Sequence, residues 1–477
     1  MLSMSIVGLL AAAVFAGSLN PPAAPTAGTM KPLDQVEPRT PISVTPYTIT
    51  QSGSYYITKN LTATGTGIMV QADNVTLDLR GFTLTGPNVV MYHGVEMNNR
   101  KNIEIRNGTI TRFQNSIHDS SSTSQNHRIL NIRAVGNISR GIYLQGTSNS
   151  IIGCTVADNG TDGIHTQAGA LVKDNVVYNA QGYGIYAGEG SIIQSNTVYK
   201  TNIGIGTYKA CTIEGNTVYK NYSHGISANE SCLIKNNVSR ENSNSGIYTG
   251  NGSTICNNTV TNNGSVGIFA SFGSSVMENT VRGNSSYGID MGDHCSAAGN
   301  TAIGNSDDGI NAGLYCTISN CTASNNTQRG IYAYDYSTIT NCTASQNSAE
   351  GIYAMSYCTV SGSNAGNNQK TGIFCWSGKV TGNTVSSNNQ VNDTTLGGIQ
   401  VWGASQIKDN MLLSNKCNNI FVHEAGSTIE GNLVRNSTNG VYFDGGGNYY
   451  KDNRASGNTT AYANPAGNTD GGGNVSF

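Results

Sequence analysis

Gly-Ile recurs at Gly204-Ile205, Gly225-Ile226, Gly246-Ile247, Gly267-Ile268, Gly288-Ile289, Gly309-Ile310, Gly330-Ile331, Gly351-Ile352 and Gly372-Ile373, every step being 21 residues. Looser copies run from Gly67-Ile68 and Gly94-Val95 to Gly440-Val441. A fixed period of this length marks a solenoid, in which each repeat buries its apolar face only by stacking on its neighbours. Two further apolar columns share the period. One holds Ile213, Ile234, Ile255, Val276 and Ile318, and the other Val218, Val260, Val281, Ala302 and Ala323. Each sits in a short in-out alternation, as in Gly-Ile-Tyr-Ala, which is the signature of a strand. Asn, Gly, Ser and Asp separate the runs and tolerate the left-handed backbone of tight turns. Each period therefore reads as three strands and three turns. Helical repeats are disfavoured by the abundance of Gly and Asn, and the Leu pattern of leucine-rich repeats is missing.

Two polar columns keep the same register. Asn216, Asn237, Asn258, Asn279 and Asn300 form one, continued by Cys321, Cys342 and Ser363; Asn242 to Asn368 form the other. Stacked Asn side chains can hydrogen-bond along the stack. The Gly-Ile and Asn-Thr-Val runs resemble the repeat of right-handed parallel β-helices in the pectin-lyase-like superfamily. The segments Tyr47-Thr-Ile-Thr-Gln-Ser-Gly-Ser-Tyr-Tyr56 and Asn74-Val-Thr-Leu-Asp-Leu-Arg-Gly-Phe-Thr83 resemble the opening of its mannuronan-epimerase-like and periplasmic copper-accessory-like bacterial members. The resemblance covers roughly 45–460 and implies an all-β, single-stranded right-handed parallel β-helix. That superfamily hosts lyases, hydrolases, epimerases, binding proteins and adhesins, so function must come from a site.

Charged residues make up 11% of the chain and the net charge is −2, which disfavours nucleic acid as a partner. No apolar stretch reaches the ~20 residues that span a bilayer. Met4 to Ala16 is similar to a secretory signal core, although no basic residue precedes it. The expected organisation is a signal segment over 1–17, a Pro-rich arm over 18–46 acting as a tether, the solenoid over 47–460, and an irregular cap over 461–477. Secretion or a cell-envelope location follows from that reading. Cys211, Cys232, Cys295, Cys316 and Cys358 share one inward column and are expected as buried free thiols. No zinc-type spacing occurs. The coil from Gly372 to Gly398 spans 26 residues, the excess lying in a loop over Ser386 to Leu396.

The residue after each Ile points outward, as does the one two further on. The first outward column contains Tyr143, His165, Tyr186, Tyr248, Phe269, Asp290, Tyr332, Tyr353, Phe374, Phe421 and Tyr442. The second adds Tyr208, Tyr334, Trp376, Trp402 and His423. Outward aromatics suit stacked sugar rings, or simply the strand preference of Tyr and Phe. One outward segment is unusually polar: Tyr287-Gly-Ile-Asp290-Met-Gly-Asp293-His294, with Asp307-Asp308 one coil on and Arg329 one further. It resembles the Tyr-Gly-Phe-Asp-Pro-His motif of mannuronan epimerases, in which Tyr and His exchange the sugar C5 proton and Asp and Lys assist. Tyr287 and Asp290 match, but Met291 and Gly292 stand at the Pro and His positions, and His294 is displaced by two. Lys is absent from Asn236 through Gln369.

The candidate catalytic set is therefore Asp290 as acid/base, Asp308 as its partner, Arg329 as the cation for a substrate carboxylate, with Tyr287 and His294. Tyr332, Tyr334, Tyr353, Trp376 and Trp402 form the candidate platform for a polysaccharide or cell-surface glycan. No cofactor is expected; clustered carboxylates could instead hold Ca²⁺ or be solvated. The set is incomplete for an enzyme, and a non-catalytic structural or adhesive protein, self-associating or not, is the alternative.

Overall fold

The computed structural model describes residues 37–477. The signal segment over 1–17 and the arm as far as 36 lie outside the described residues. The rest is a single parallel solenoid of 57 short strands, with no helix among the described residues. A typical coil comprises Ile268–Ala270, Ser275–Met277 and Thr280–Arg282. Its strands pair in parallel with those of the next coil at Ile268↔Ile289, Val276↔Ala297 and Val281↔Ala302. Ile247, Ile268, Ile289 and Ile310 stack in one column without solvent exposure. The expected right-handed β-helix and its three apolar columns are thus what the chain forms.

The glycine of each Gly-Ile step has a steric cause. A Cβ on Gly267 would lie 2.4 Å from Val281 Cγ1 and 2.6 Å from the Gly288 carbonyl oxygen. The corner before the first strand therefore packs backbone directly against the third-strand apolar column and the next coil. Only glycine admits that approach, so the corner writes itself into the sequence once per coil.

The asparagine columns are buried ladders. Asn258 Nδ2 donates to Asn279 Oδ1 at 3.0 Å and to the carbonyls of Ile234 and Cys256 at 2.9 and 3.0 Å. Its own Oδ1 accepts from the backbone N–H and Nδ2 of Asn237. This rung thus closes the turn of the coil before it, and its amide is fully used. Asn258→Ala is expected to destabilise by about 2–4 kcal/mol, because the Asn237 donors and the Ile234 carbonyl lose their partner in the dry interior. Urea unfolding checks it; a loss below about 0.5 kcal/mol would mean that water replaces the rung.

Two boundaries differ from the expectation. The tether was expected to run to residue 46, yet Thr40–Ile42 pairs with Tyr55–Ile57 and Ile42 is fully buried. Arg39 adds an ion pair to Asp78 at 3.6 Å and lies 4.9 Å over the Tyr56 ring. Pro41 is tolerated because this strand pairs on one side only, where a missing N–H costs nothing. At the other end, 461–477 is not an irregular cap. Thr469–Asp470 and Val475–Ser476 pair with the preceding coil, and Asn468 and Asn474 extend the ladders. Gly467, Gly472 and Gly473 occupy left-handed turn positions, so a Gly-rich composition here encodes one more coil.

All eleven cysteines are free. Cys211, Cys232, Cys295, Cys316 and Cys358 are buried and take hydrogen-bonding places in the column, as where the Cys211 N–H meets Cys232 Sγ at 3.4 Å.

Candidate functional site

The outward side of the first strands carries the chemistry. Three columns run along it: the residue two before each Gly-Ile isoleucine, the residue after it, and the residue two further on. In the middle of the solenoid they bring together most of the expected set. Asp290 pairs with Asn311 across coils, and Asn311 Nδ2 donates to Asp290 Oδ1 at 2.7 Å. Burial pushes the Asp290 carboxyl above the ordinary range, with the charge of Asp307 adding to it and the Asn311 bond opposing. Tyr287 and Asp308 occupy the neighbouring edge column. Burial raises the Tyr287 phenol, and Asp307, Asp308 and Asp290 reinforce the shift.

Asp308 is almost fully buried, its side chain 4% exposed. The Arg329 N–H donates to Asp308 Oδ1 at 2.7 Å, and Arg329 Nη1 lies 3.6 Å from Oδ2. Arg329 Nε reaches Glu350 Oε2 at 3.4 Å, and Lys370 reaches the same carboxylate at 3.6 Å. The guanidinium carbon sits 4.8 Å over Tyr332 and 4.6 Å over Tyr353. Arg329 is thus compensated by Glu350, and by Asp308 once that carboxyl ionises, and is held under two rings, which leaves it a poor free cation for a substrate carboxylate.

Burial pushes the Asp308 carboxyl up to about 6, against the pull of Arg329. A carboxyl whose folded pKa is raised contributes stability that is present below its unfolded pKa, near 3.8, and lost as pH rises through about 6. The stability of the parent relative to Asp308→Asn is therefore expected to fall by on the order of 2–3 kcal/mol from about pH 4 to about pH 7. Urea melts of both proteins across that window check it. A difference independent of pH would show that Asp308 ionises as an ordinary surface carboxylate.

His294 does not join this set. It sits in the turn after the first strand with a left-handed backbone, φ 57°. Its ring meets Phe272 edge-on at 5.1 Å and stacks on Tyr315 at 5.0 Å, and the column continues through Tyr336 and Tyr357. The epimerase-like position that would carry histidine is the glycine of Gly292, and Met291 points into the core, 2% exposed.

The platform residues do converge. Tyr332 meets Tyr334 edge-on at 4.9 Å and Tyr353 at 5.4 Å. Tyr353 stacks on Phe374 at 4.3 Å, Trp376 on Trp402 at 5.4 Å, and Trp402 meets His423 at 4.5 Å. The long loop over 386–396 rises beside them. Its Thr394 and Thr395 wall a cavity of about 300 Å³ with Phe421, His423 and Tyr442, and Gln400 ties Thr395 to His423.

A second charged cluster went unrecognised in the sequence. Asp162 Oδ2 is 3.0 Å from both Arg140 Nε and His165 Nδ1. Burial alone would raise this carboxyl, but the His165 and Arg140 bonds hold it below the ordinary range. Arg140 lies 4.4 Å over Tyr143, and His165 stands between Tyr143 at 5.3 Å and Tyr186 at 4.7 Å. His93 and His118 stack at 3.7 Å, both pushed down by burial to about 4 and so neutral. The clue was available: Arg-Gly-Ile-Tyr occurs at Arg140–Tyr143 and again at Arg329–Tyr332, each time placing Arg beneath a Tyr.

Among the described residues, no three His, Cys, Asp or Glu side chains are placed to hold one metal ion, and no helix is long and apolar enough to cross a membrane. The family described as right-handed β-helix region matches over residues 49–212, 140–285 and 275–417. Among solved structures, the mannuronan C-5 epimerase AlgE6 A-module of Azotobacter vinelandii is similar at 14% identity, over 89% of this chain and 91% of that one, with a TM-score of 0.28. The Dettilon tailspike protein is similar at 18% identity, over 66% of this chain and 60% of its own, with a TM-score of 0.32. The periplasmic alginate epimerase AlgG is similar at 12% identity, over 75% and 78%, with a TM-score of 0.29. No curated protein sequence matches the chain.

Proposed function

The chain belongs to the right-handed β-helix family, and on that scaffold we propose a secreted or cell-envelope protein that binds a polysaccharide along the outward face of its first strands. One observation carries the reading. Tyr334, Trp376 and Trp402 remain 43%, 42% and 37% exposed on the outward side of the first strands, and Tyr208 and Tyr248 on the same side are 46% and 40% exposed. Leaving that much aromatic surface in water is unfavourable unless a partner covers it. The carbon faces of sugar rings suit such surfaces, and a column repeating every ~4.8 Å suits a linear chain. Export rests on the signal-like segment Met4 to Ala16.

Asp290 and Asp308 are the reaction centre if the glycan is also modified. Asp308, protonated up to about pH 6, is the acid, and Asp290 is the group that accepts a proton. The compensated Arg329 favours a neutral sugar over a uronate at that centre. It equally favours the second reading, in which the face binds or adheres without turnover. Incubation with neutral and uronate polysaccharides tests both, read by affinity electrophoresis, by reducing ends and by absorbance of unsaturated products. Retardation with no new ends supports binding alone, new ends from a neutral glycan support a hydrolase, and neither result on any glycan removes the proposal.

A further inference from the structure

The aromatic column stacks ring on ring, and that limits where a sugar can sit. Tyr248 and Phe269 lie 4.8 Å apart and 8° from parallel, so each covers a face of the other. In this column a ring face is free only at an interruption. Gln400 interrupts it for one coil between Phe374 and Phe421, but is itself buried and bonded to His423. Two interruptions are two coils long. One is Asp290 and Asn311, flanked by Gly292 and Gly313 in the next column. The other is Gly206 and Ser227, between Tyr186 and Tyr248, and it opens a cavity of about 410 Å³ walled by Tyr183, Tyr186, Tyr208 and Tyr248. Ser227 and Asn229 supply hydroxyl and amide groups, and every residue lining this cavity is uncharged. The gap depends on glycine. A Cβ on Gly206 would lie 2.4 Å from Tyr183 Cε1, so the missing side chain is what lets the Tyr183 ring lie across the column as an end wall. His224, 5.2 Å from the Tyr248 ring, has a buried Nδ1 with no hydrogen-bond partner among the described residues.

We propose that the Gly206–Ser227 gap is a subsite for one uncharged sugar residue, and that a single glycan chain lying along the solenoid occupies it together with the Asp290–Asn311 gap. This rests on the polysaccharide reading and adds to it a second subsite, a neutral ligand and a minimum length. The gap centres are four coils apart, ~19 Å at the strand spacing, with the Tyr248–Phe269 pair as the divider. An uncharged lining offers nothing to match a buried carboxylate, which would be costly to desolvate there. The ring faces and the hydroxyl and amide groups match a neutral pyranose.

The test is titration calorimetry of the full chain with neutral β-linked gluco-oligosaccharides and manno-oligosaccharides from disaccharide to octasaccharide, and with oligogalacturonides of the same lengths. Affinity for a neutral series is expected to rise roughly tenfold once the chain is long enough to span both gaps. Ser227→Trp, which fills the gap from an outward strand position, is expected to abolish that rise with the melting temperature unchanged, the short oligomers then binding only through the Asp290–Asn311 gap. Tyr248→Ala, which removes the divider wall, is expected to weaken long oligomers by roughly tenfold. A parent with no length step, a step retained in Ser227→Trp, or a preference for the uronate series would each overturn the subsite while leaving the broader reading standing. If the parent binds neither series, and no polysaccharide is retarded, the broader reading itself fails and the subsite with it.

Discussion

Ile289→Asp is expected to cost more than about 4 kcal/mol and to unzip the central coils. Truncating a well-packed isoleucine costs about 2–5 kcal/mol by itself. An ionised carboxylate then faces only Ile268 and Ile310, which are also fully buried, with no donor in that column to pair it. Nearest-neighbour coupling in a solenoid makes the damage local first, spreading from the coil that holds Asp to the interfaces on either side. Tyr248→Asp is the control, because that side chain points outward from an equivalent strand and is 40% exposed. It should cost less than about 1 kcal/mol. Urea unfolding followed by far-ultraviolet circular dichroism, with hydrogen exchange to locate the opening, separates the two. Equal losses in both variants would mean that the isoleucine column is not the dry core.

The β-helix was legible because one steric fact repeats. Each coil needs glycine where its corner meets the third-strand column, as at Gly267, and the residue after it must be apolar, so the same pair of letters returns every 21 residues. The Asp290, Asp308, Arg329, Tyr332 and Tyr353 cluster was legible for the same reason, since residues one period apart become neighbours. Where the period slips, so did the reading. Ile117 pairs with Ile142 and Ile142 with Ile164, steps of 25 and 22 residues rather than 21. The column joining Arg140, Asp162 and His165 to His118 is therefore out of register when counted by 21. His294 failed differently. Sequence distance placed it near Asp290, but the backbone turns left-handed there and carries the ring to another column. The ends were misjudged because Pro and Gly were read as breaks. Pro41 lies on a strand with a free side, and Gly467 and Gly472 serve ordinary turns. The compensation of Arg329 was the least visible feature, because it depends on Glu350 one coil on and Lys370 one coil further, and no spacing tells whether a charge is spent on a neighbour or left for a ligand.

That last point decides where binding energy must come from, and it sets the second large effect. With Arg329 neutralised and Lys370 held by Glu350, the face offers a glycan mainly rings and neutral hydrogen-bonding groups, so affinity has to be carried by the exposed aromatics. Trp376→Ala with Trp402→Ala removes the stacked, exposed indole pair. The two rings touch at 5.4 Å, so their contributions are coupled, and the double variant is expected to lose more than either single change alone. A loss of roughly a hundredfold in polysaccharide affinity is expected, since buried aromatic anchors at interfaces each cost more than about 1 kcal/mol when truncated. Stability should change little, because Trp376 and Trp402 stand outside the apolar columns, whose inward members beside them in the chain are Cys375 and Val401, both fully buried. Affinity electrophoresis at fixed ionic strength reads the first quantity and thermal melting the second. The salt dependence adds a discriminating check: rings and hydroxyls predict affinity nearly independent of salt, whereas ion pairing predicts a steep fall. Undiminished binding in the double variant, or binding that collapses with salt, would move the site away from the aromatic face and back to the charged clusters around Asp162 and Asp308.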